Sequence, residues 1–143
     1  MSIVERIHGG YVHTRRARVL CDHLASLIPR QASVLDVGTG DGLLAKLLSE
    51  RRSDLSLQGL DVLPRAESHI PVQVFDGEHI PYPDKSFDVV LFVDVLHHTN
   101  DAMALLREAV RTEGLHLPGR FAEGRHLHVA EHQPRAGGRE RER

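Results

Sequence analysis

The chain has no tryptophan, a single cysteine, two tyrosines and four phenylalanines. So few aromatic rings leave no stacking platform for single-stranded nucleic acid. The lone thiol, Cys21, excludes an internal disulfide and a paired-cysteine zinc motif. No apolar run approaches the ~18 residues of a membrane span. The first ten residues, MSIVERIHGG, carry charges of both signs and do not read as a secretion signal. A net charge of −2 supplies no global basic field for a nucleic-acid partner. The expectation is a cytosolic protein with neither nucleic acid nor membrane as partner. What is present is 143 residues, 41% of them hydrophobic, enough for one core.

Up to about Val110 apolar blocks alternate with turn signals, which is the texture of an α/β domain. Ala17, Leu20, Cys21, Leu24, Leu27 and Ile28 fall at helical spacing, with Thr14 as N-cap and Pro29 as the stop. The segment SVLDV reads as a strand covered on both faces. Leu43, Leu44, Leu47 and Leu48 mark a helix running to about Arg51. LSLQGLDV and VQVFD read as second and third strands, ending at Asp61 and Asp76, and FDVVLFVDV as the central strand. Met103, Leu105, Leu106, Ala109 and Val110 make a further helical stripe capped by Asn100. Repeated strand–helix–strand units predict a parallel sheet with right-handed crossovers, whose ligands sit at the carboxyl ends of the strands.

Four aspartates fall at those ends: Asp36, Asp61, Asp76 and Asp94. Gly38, Gly40 and Gly42 form G-x-G-x-G, and position 43 is Leu, so the spacing departs from the dinucleotide fingerprint. A helix starting there would suit a phosphate, but Asp36 and Asp41 crowd the turn and favour a ligand carrying an ammonium or sulfonium group. Asp61, 21 residues past Gly40, is placed to accept both hydroxyls of a ribose, or else to cap the next turn. Asp76, followed by Gly77, is placed for an adenine amino group or for a plain Asp-Gly turn.

VLDVGTGDG, GLDV, FDGEHIPYPDKSFDVVLFVDVLHHTND and LLREAVR together resemble the class I S-adenosylmethionine-dependent methyltransferases. The likeness is to the small-molecule group that includes the quinone-biosynthesis enzymes, over about residues 14 to 111. It implies a Rossmann-like parallel sheet with helices on both faces and a methyl transfer to a small-molecule acceptor. It further implies a cofactor site with Asp36, Gly38, Thr39 and Gly40 at the methionine moiety, and Asp61 with Val62 at the ribose. Asp76, Gly77 and Glu78 would meet the adenine edge, and Asp94 would line the pocket beside the methyl group. His97 and His98 are the candidates for a base where the acceptor must lose a proton; otherwise one shapes the pocket and the other caps a helix or faces solvent.

After Arg111 the texture changes to seven arginines, five glutamates, four histidines and five glycines among residues 111 to 143. The expected division is therefore an N-terminal segment 1–13, a cofactor-binding domain 14–111 and an atypical tail 112–143 that ends in disorder. His116, His126, His128 and His132 read as part of that tail rather than as a metal site. HLHVA is at most a short fifth strand. The rest of the family's sheet needs roughly 60 to 80 further residues at usual element lengths, so the fold is expected to be incomplete at four to five strands. VVLFV is then an exposed apolar edge open to self-association. A truncated gene, a changed reading frame after about Arg111 or a natural minimal form would produce this texture. The alternatives to an active enzyme are a catalytically incomplete cofactor-binding fragment and a nicotinamide-dependent oxidoreductase.

Overall fold

The computed structural model describes residues 3–63, 65–114 and 127–130, with side chains for 14–63 and 65–114. Among these residues there are three α-helices, α1 (Ile3–Leu27), α2 (Leu43–Arg51) and α3 (Ala102–Thr112), and five strands. The strands are β1 (Ser33–Val37), β2 (Ser56–Asp61), β3 (Val72–Val74), β4 (Val89–Val93) and β5 (Leu127–Ala130), with β2, β3 and β4 following one another without an intervening helix. All pair in parallel, in the order β3-β2-β1-β4-β5. The chain runs outward from β1 to β3, then returns to the other side of β1. That reversal opens a crevice between the carboxyl ends of β1 and β4, where ligands bind in open α/β sheets.

Alternate residues of β1 and β4 divide the core in two. Val34, Val89 and Leu91 pack with Cys21, Leu24 and Ile28 of α1 and Leu44 and Leu48 of α2. Leu35, Val37, Val90 and Phe92 face the other way, against Leu105 and Ala109 of α3. Both faces are covered, so the central strands are continuous apolar runs, as parallel sheets require. Arg52 ties the layers together: it donates to the carbonyls of Ala25, Ile28 and Pro29 at the end of α1, and to Asp54. Those carbonyls have no partner within the helix, and the guanidinium satisfies them.

Several expectations need correction. The first helix begins at Ile3, so Thr14 lies within it and is not its cap. No proline precedes Pro29 to stop the helix, and Gly9 and Gly10 cost it only about 1 kcal/mol each. Leu27, Met103 and Val110, assigned to apolar stripes, are exposed. The cap of α3 is Asp101, whose carboxylate accepts from Ala104 N at 2.9 Å, rather than Asn100. Strand four stops at Val93 because Asp94 takes a positive φ of 54° and turns the chain. HLHVA does supply a strand, β5, which lies beside β4 with Val90 opposite Leu127. VVLFV is therefore interior, and the expected self-association through it lapses. The end of the chain, where disorder was expected, lies outside the described residues.

Candidate functional site

The turn after β1 is held by its own amides. Gly38 N and Thr39 N both donate to Leu60 O, at 2.8 and 3.0 Å, fastening the turn to the end of β2. Gly40 N donates to Asp61 Oδ2 at 2.8 Å, and Gly42 N to Thr39 O at 3.0 Å. Asp41 Oδ1 takes Leu43 N, the first amide of α2, at 3.1 Å. Gly38 has a φ of 75°, and a Cβ there would stand 2.2 Å from Val95 Cγ2, so only glycine fits. At Gly42 an added Cβ would meet Ile70 Cγ1 at 2.6 Å. Ile70 belongs to the loop after β2, which lies against this turn, and His69 N in the same loop donates to Asp41 O at 2.7 Å. With the amides of Gly38, Thr39, Gly40, Gly42 and Leu43 spent internally, the turn offers little to a phosphate.

Its carboxylates behave differently from one another. Asp36 is buried beneath the turn and accepts from Thr39 Oγ1 at 2.7 Å. Burial pushes its carboxyl up to about 6, with the Asp61 charge adding to the rise and the Thr39 hydroxyl opposing it. Asp61 is also buried; its second oxygen accepts from Leu63 N at 3.0 Å. Asp76, beyond β3, is exposed and accepts from the amides of His79 and Glu78 at 2.7 and 2.8 Å, and from the His79 ring at 2.9 Å. Those donors hold it down to about 2. The same carboxylate raises His79. Asp94, at the end of β4, forms an ion pair with Arg16 of α1.

Two adjoining cavities open along this rim. A smaller one of about 260 Å³ lies between α1 and the glycine turn, lined among others by Asp36, Thr39, Asp41 and Arg16. A larger one of about 450 Å³ runs past Asp61, Val62, Asp76, Gly77 and Glu78 to the start of α3. Gly38, Gly40, Arg65 and Asp94 line both. Each of the ten residues singled out for the cofactor thus borders one cavity or the other. His98 lines the larger cavity, with its ring centroid 3.9 Å from that of His97; His97 itself is not part of either wall.

The segment after β3 is clamped to α3. Glu108 of α3 accepts from Ile80 N at 3.0 Å and from Arg111. Arg111 also donates to the carbonyls of Ile80 and Tyr82 and to Asp84. Arg16, Arg65, Thr99 and Asp101 line the cavities without having been singled out by sequence reasoning. Arg16 is one of four arginines of α1 and Arg65 sits in an exposed loop with no periodicity, so neither left a pattern to read. Among the described residues no group of three or more His, Cys, Asp or Glu could hold a metal ion. Among the same residues, no helix is long and apolar enough to cross a membrane.

Residues 11–130 match the methyltransferase domain family, a span that starts before Thr14 and continues through β5. The 27-O-demethylrifamycin SV methyltransferase of Amycolatopsis mediterranei is 30% identical, covering 87% of this chain and 53% of that protein. A demethylmenaquinone methyltransferase of Tropheryma whipplei is 30% identical over 69% of this chain and 43% of its own length. A SAM-dependent methyltransferase from Aquifex aeolicus superposes with a TM-score of 0.57 at 18% identity, over 71% of this chain and 67% of that one; at that identity the likeness shows the fold alone. The chain spans about half the length of the curated relatives it matches. With a match over most of its length and the parallel sheet beneath it, the chain belongs to the methyltransferase domain family, for which S-adenosylmethionine is the implied cofactor.

Proposed function

We propose that the chain is the S-adenosylmethionine-binding part of a methyltransferase acting on a small-molecule acceptor. The convergence of residues from the loops after β1, β2, β3 and β4 on two adjoining cavities carries this reading. The donor set suits the group. Acidic side chains at Asp36, Asp41 and Asp94 complement an ammonium and a sulfonium, while the amides that would serve a pyrophosphate are committed elsewhere. The same commitment counts against a nicotinamide dinucleotide.

In this arrangement Asp36, Gly38, Thr39 and Gly40 border the methionine end, and Asp61 with Val62 borders the ribose. Asp76, Gly77 and Glu78 edge the adenine. Bound there, S-adenosylmethionine would supply an electrophilic methyl group on a sulfonium sulfur. What the protein adds is positioning and exclusion of water. Asp94 stands where the two cavities meet, beside the reacting region. Of the two candidate histidines, His98 is the one that lines the larger cavity, which supports it over His97 as a base for an acceptor that must lose a proton. A cofactor domain over 14–111, with β5 (Leu127–Ala130) of the 112–143 segment added to its sheet, belongs to the same proposal, together with a cytosolic setting that suits the free buried thiol of Cys21.

Calorimetric titration with S-adenosylhomocysteine tests the reading: wild-type protein binds it, and Asp61→Ala weakens binding sharply. Correctly folded protein with no detectable heat of binding would sink it. A second reading is a cofactor-binding unit without turnover. Methyl transfer to candidate acceptors separates the two.

A further inference from the structure

The two cavities carry many carboxylates and few cations. Among the described residues, Arg16 and Arg65 are the basic side chains of the smaller cavity, and Arg65 is the arginine of the larger, which His98 also lines. Arg16 is already committed to Asp94. His98 reaches only the larger cavity. Arg65 borders both, is exposed, and has no hydrogen bond or ion pair among the described residues. Its guanidinium lies over the glycine turn, with Nη2 3.9 Å from where a Cβ on Gly40 would stand.

A ligand that places an anionic group in the smaller cavity meets Asp36, Asp41 and Asp94 there. The turn offsets them little, because the amides of Gly38, Thr39, Gly40, Gly42 and Leu43 all donate within the protein. A side-chain cation is needed, and a planar guanidinium matches a carboxylate with two parallel hydrogen bonds. Resting on the cofactor reading above, we propose that Arg65 holds the carboxylate at the amino-acid end of the bound cofactor. The loop after β2 then contributes to both ends of one ligand: Asp61 and Val62 at the ribose, and Arg65 across the glycine turn at the carboxylate.

The full chain is titrated with S-adenosylhomocysteine, which carries that carboxylate, and with methylthioadenosine, which lacks the whole amino-acid end. Wild-type binding of the two reads the cofactor assignment; the change between variants reads Arg65. Arg65→Met should weaken S-adenosylhomocysteine about tenfold or more, the worth of a charge-assisted hydrogen bond, and leave methylthioadenosine and Tm unchanged. Arg65→Lys should recover part of the loss and serves as the second variant if Arg65→Met folds poorly. Unchanged affinity for S-adenosylhomocysteine overturns the proposal, as does an equal loss for both ligands, which would mark a role in shaping the loop. Wild-type protein that binds neither overturns the cofactor reading and this inference with it.

Discussion

Asp36, near the end of β1, and Asp76, just beyond β3, share one rim of the sheet, yet the fold treats their carboxylates in opposite ways. Asp36 is sealed beneath the glycine turn with one hydroxyl donor, and burial raises it to about 6. Asp76 is open to solvent, and three donors lower it to about 2. Asp36 is therefore a group that the fold keeps under tension near neutral pH, while Asp76 is a plain charged turn. Their contributions to stability run in opposite senses. The folded state binds a proton at Asp36 more readily than the unfolded chain does. Its contribution is therefore most favourable below about pH 4 and declines as pH rises through about 6. The Asp76 contribution is present above about pH 4 and is lost as pH falls toward 2.

The largest effect should come from removing the lid over Asp36. Gly38→Ala combines a positive φ with a contact into Val95, and should cost about 2–5 kcal/mol in urea unfolding. Next, Asp61→Ala removes the acceptor of Gly40 N and the two ribose hydrogen bonds of the proposed site. It should weaken S-adenosylhomocysteine about 100-fold by calorimetry, and an unchanged affinity would remove Asp61 from the site. Asp36→Asn keeps an acceptor for Thr39 but discharges the buried group. It should stabilise the fold by about 1–2 kcal/mol at neutral pH, less than the full pKa shift implies because a buried amide keeps a desolvation cost. The gain should shrink between pH 6 and about 4, and a gain independent of pH would show that Asp36 is not the source of the slope. Smallest is Asp76→Asn, which should barely move Tm while lowering the His79 titration seen by NMR. If His79 does not move, the contrast between the two turns is weaker than the structure draws it.

The strands were legible because parallel strands buried on two faces must be apolar throughout, and SVLDV and VVLFV have no other reading. The rim aspartates were legible because strand ends are fixed by those runs. What escaped was whatever depended on packing between distant segments. Thr14 looked like a cap because its side chain suits one, but a cap matters only where a helix starts, and nothing upstream stopped this one. Asn100 and Asp101 are both good caps, and a one-residue choice is set by the backbone, here at a φ of −136° for Asp101. β5 was half visible: HLHVA has strand character, but only its pairing with Val90–Val93 shows that it covers β4. Arg16 and Arg65 could not be found at all, since a surface arginine in a helix or loop has no period that distinguishes it.

The contacts of Gly38 with Val95 and of Gly42 with Ile70 have a further consequence, for how this sequence can drift. Each glycine is the empty half of a lock whose other half is a branched side chain from a different loop, at 2.2 and 2.6 Å from the missing Cβ. Neither half can change size alone. In a collection of related sequences, positions 38 and 95, and likewise 42 and 70, should therefore vary as pairs, with any residue bulkier than glycine met by a smaller partner.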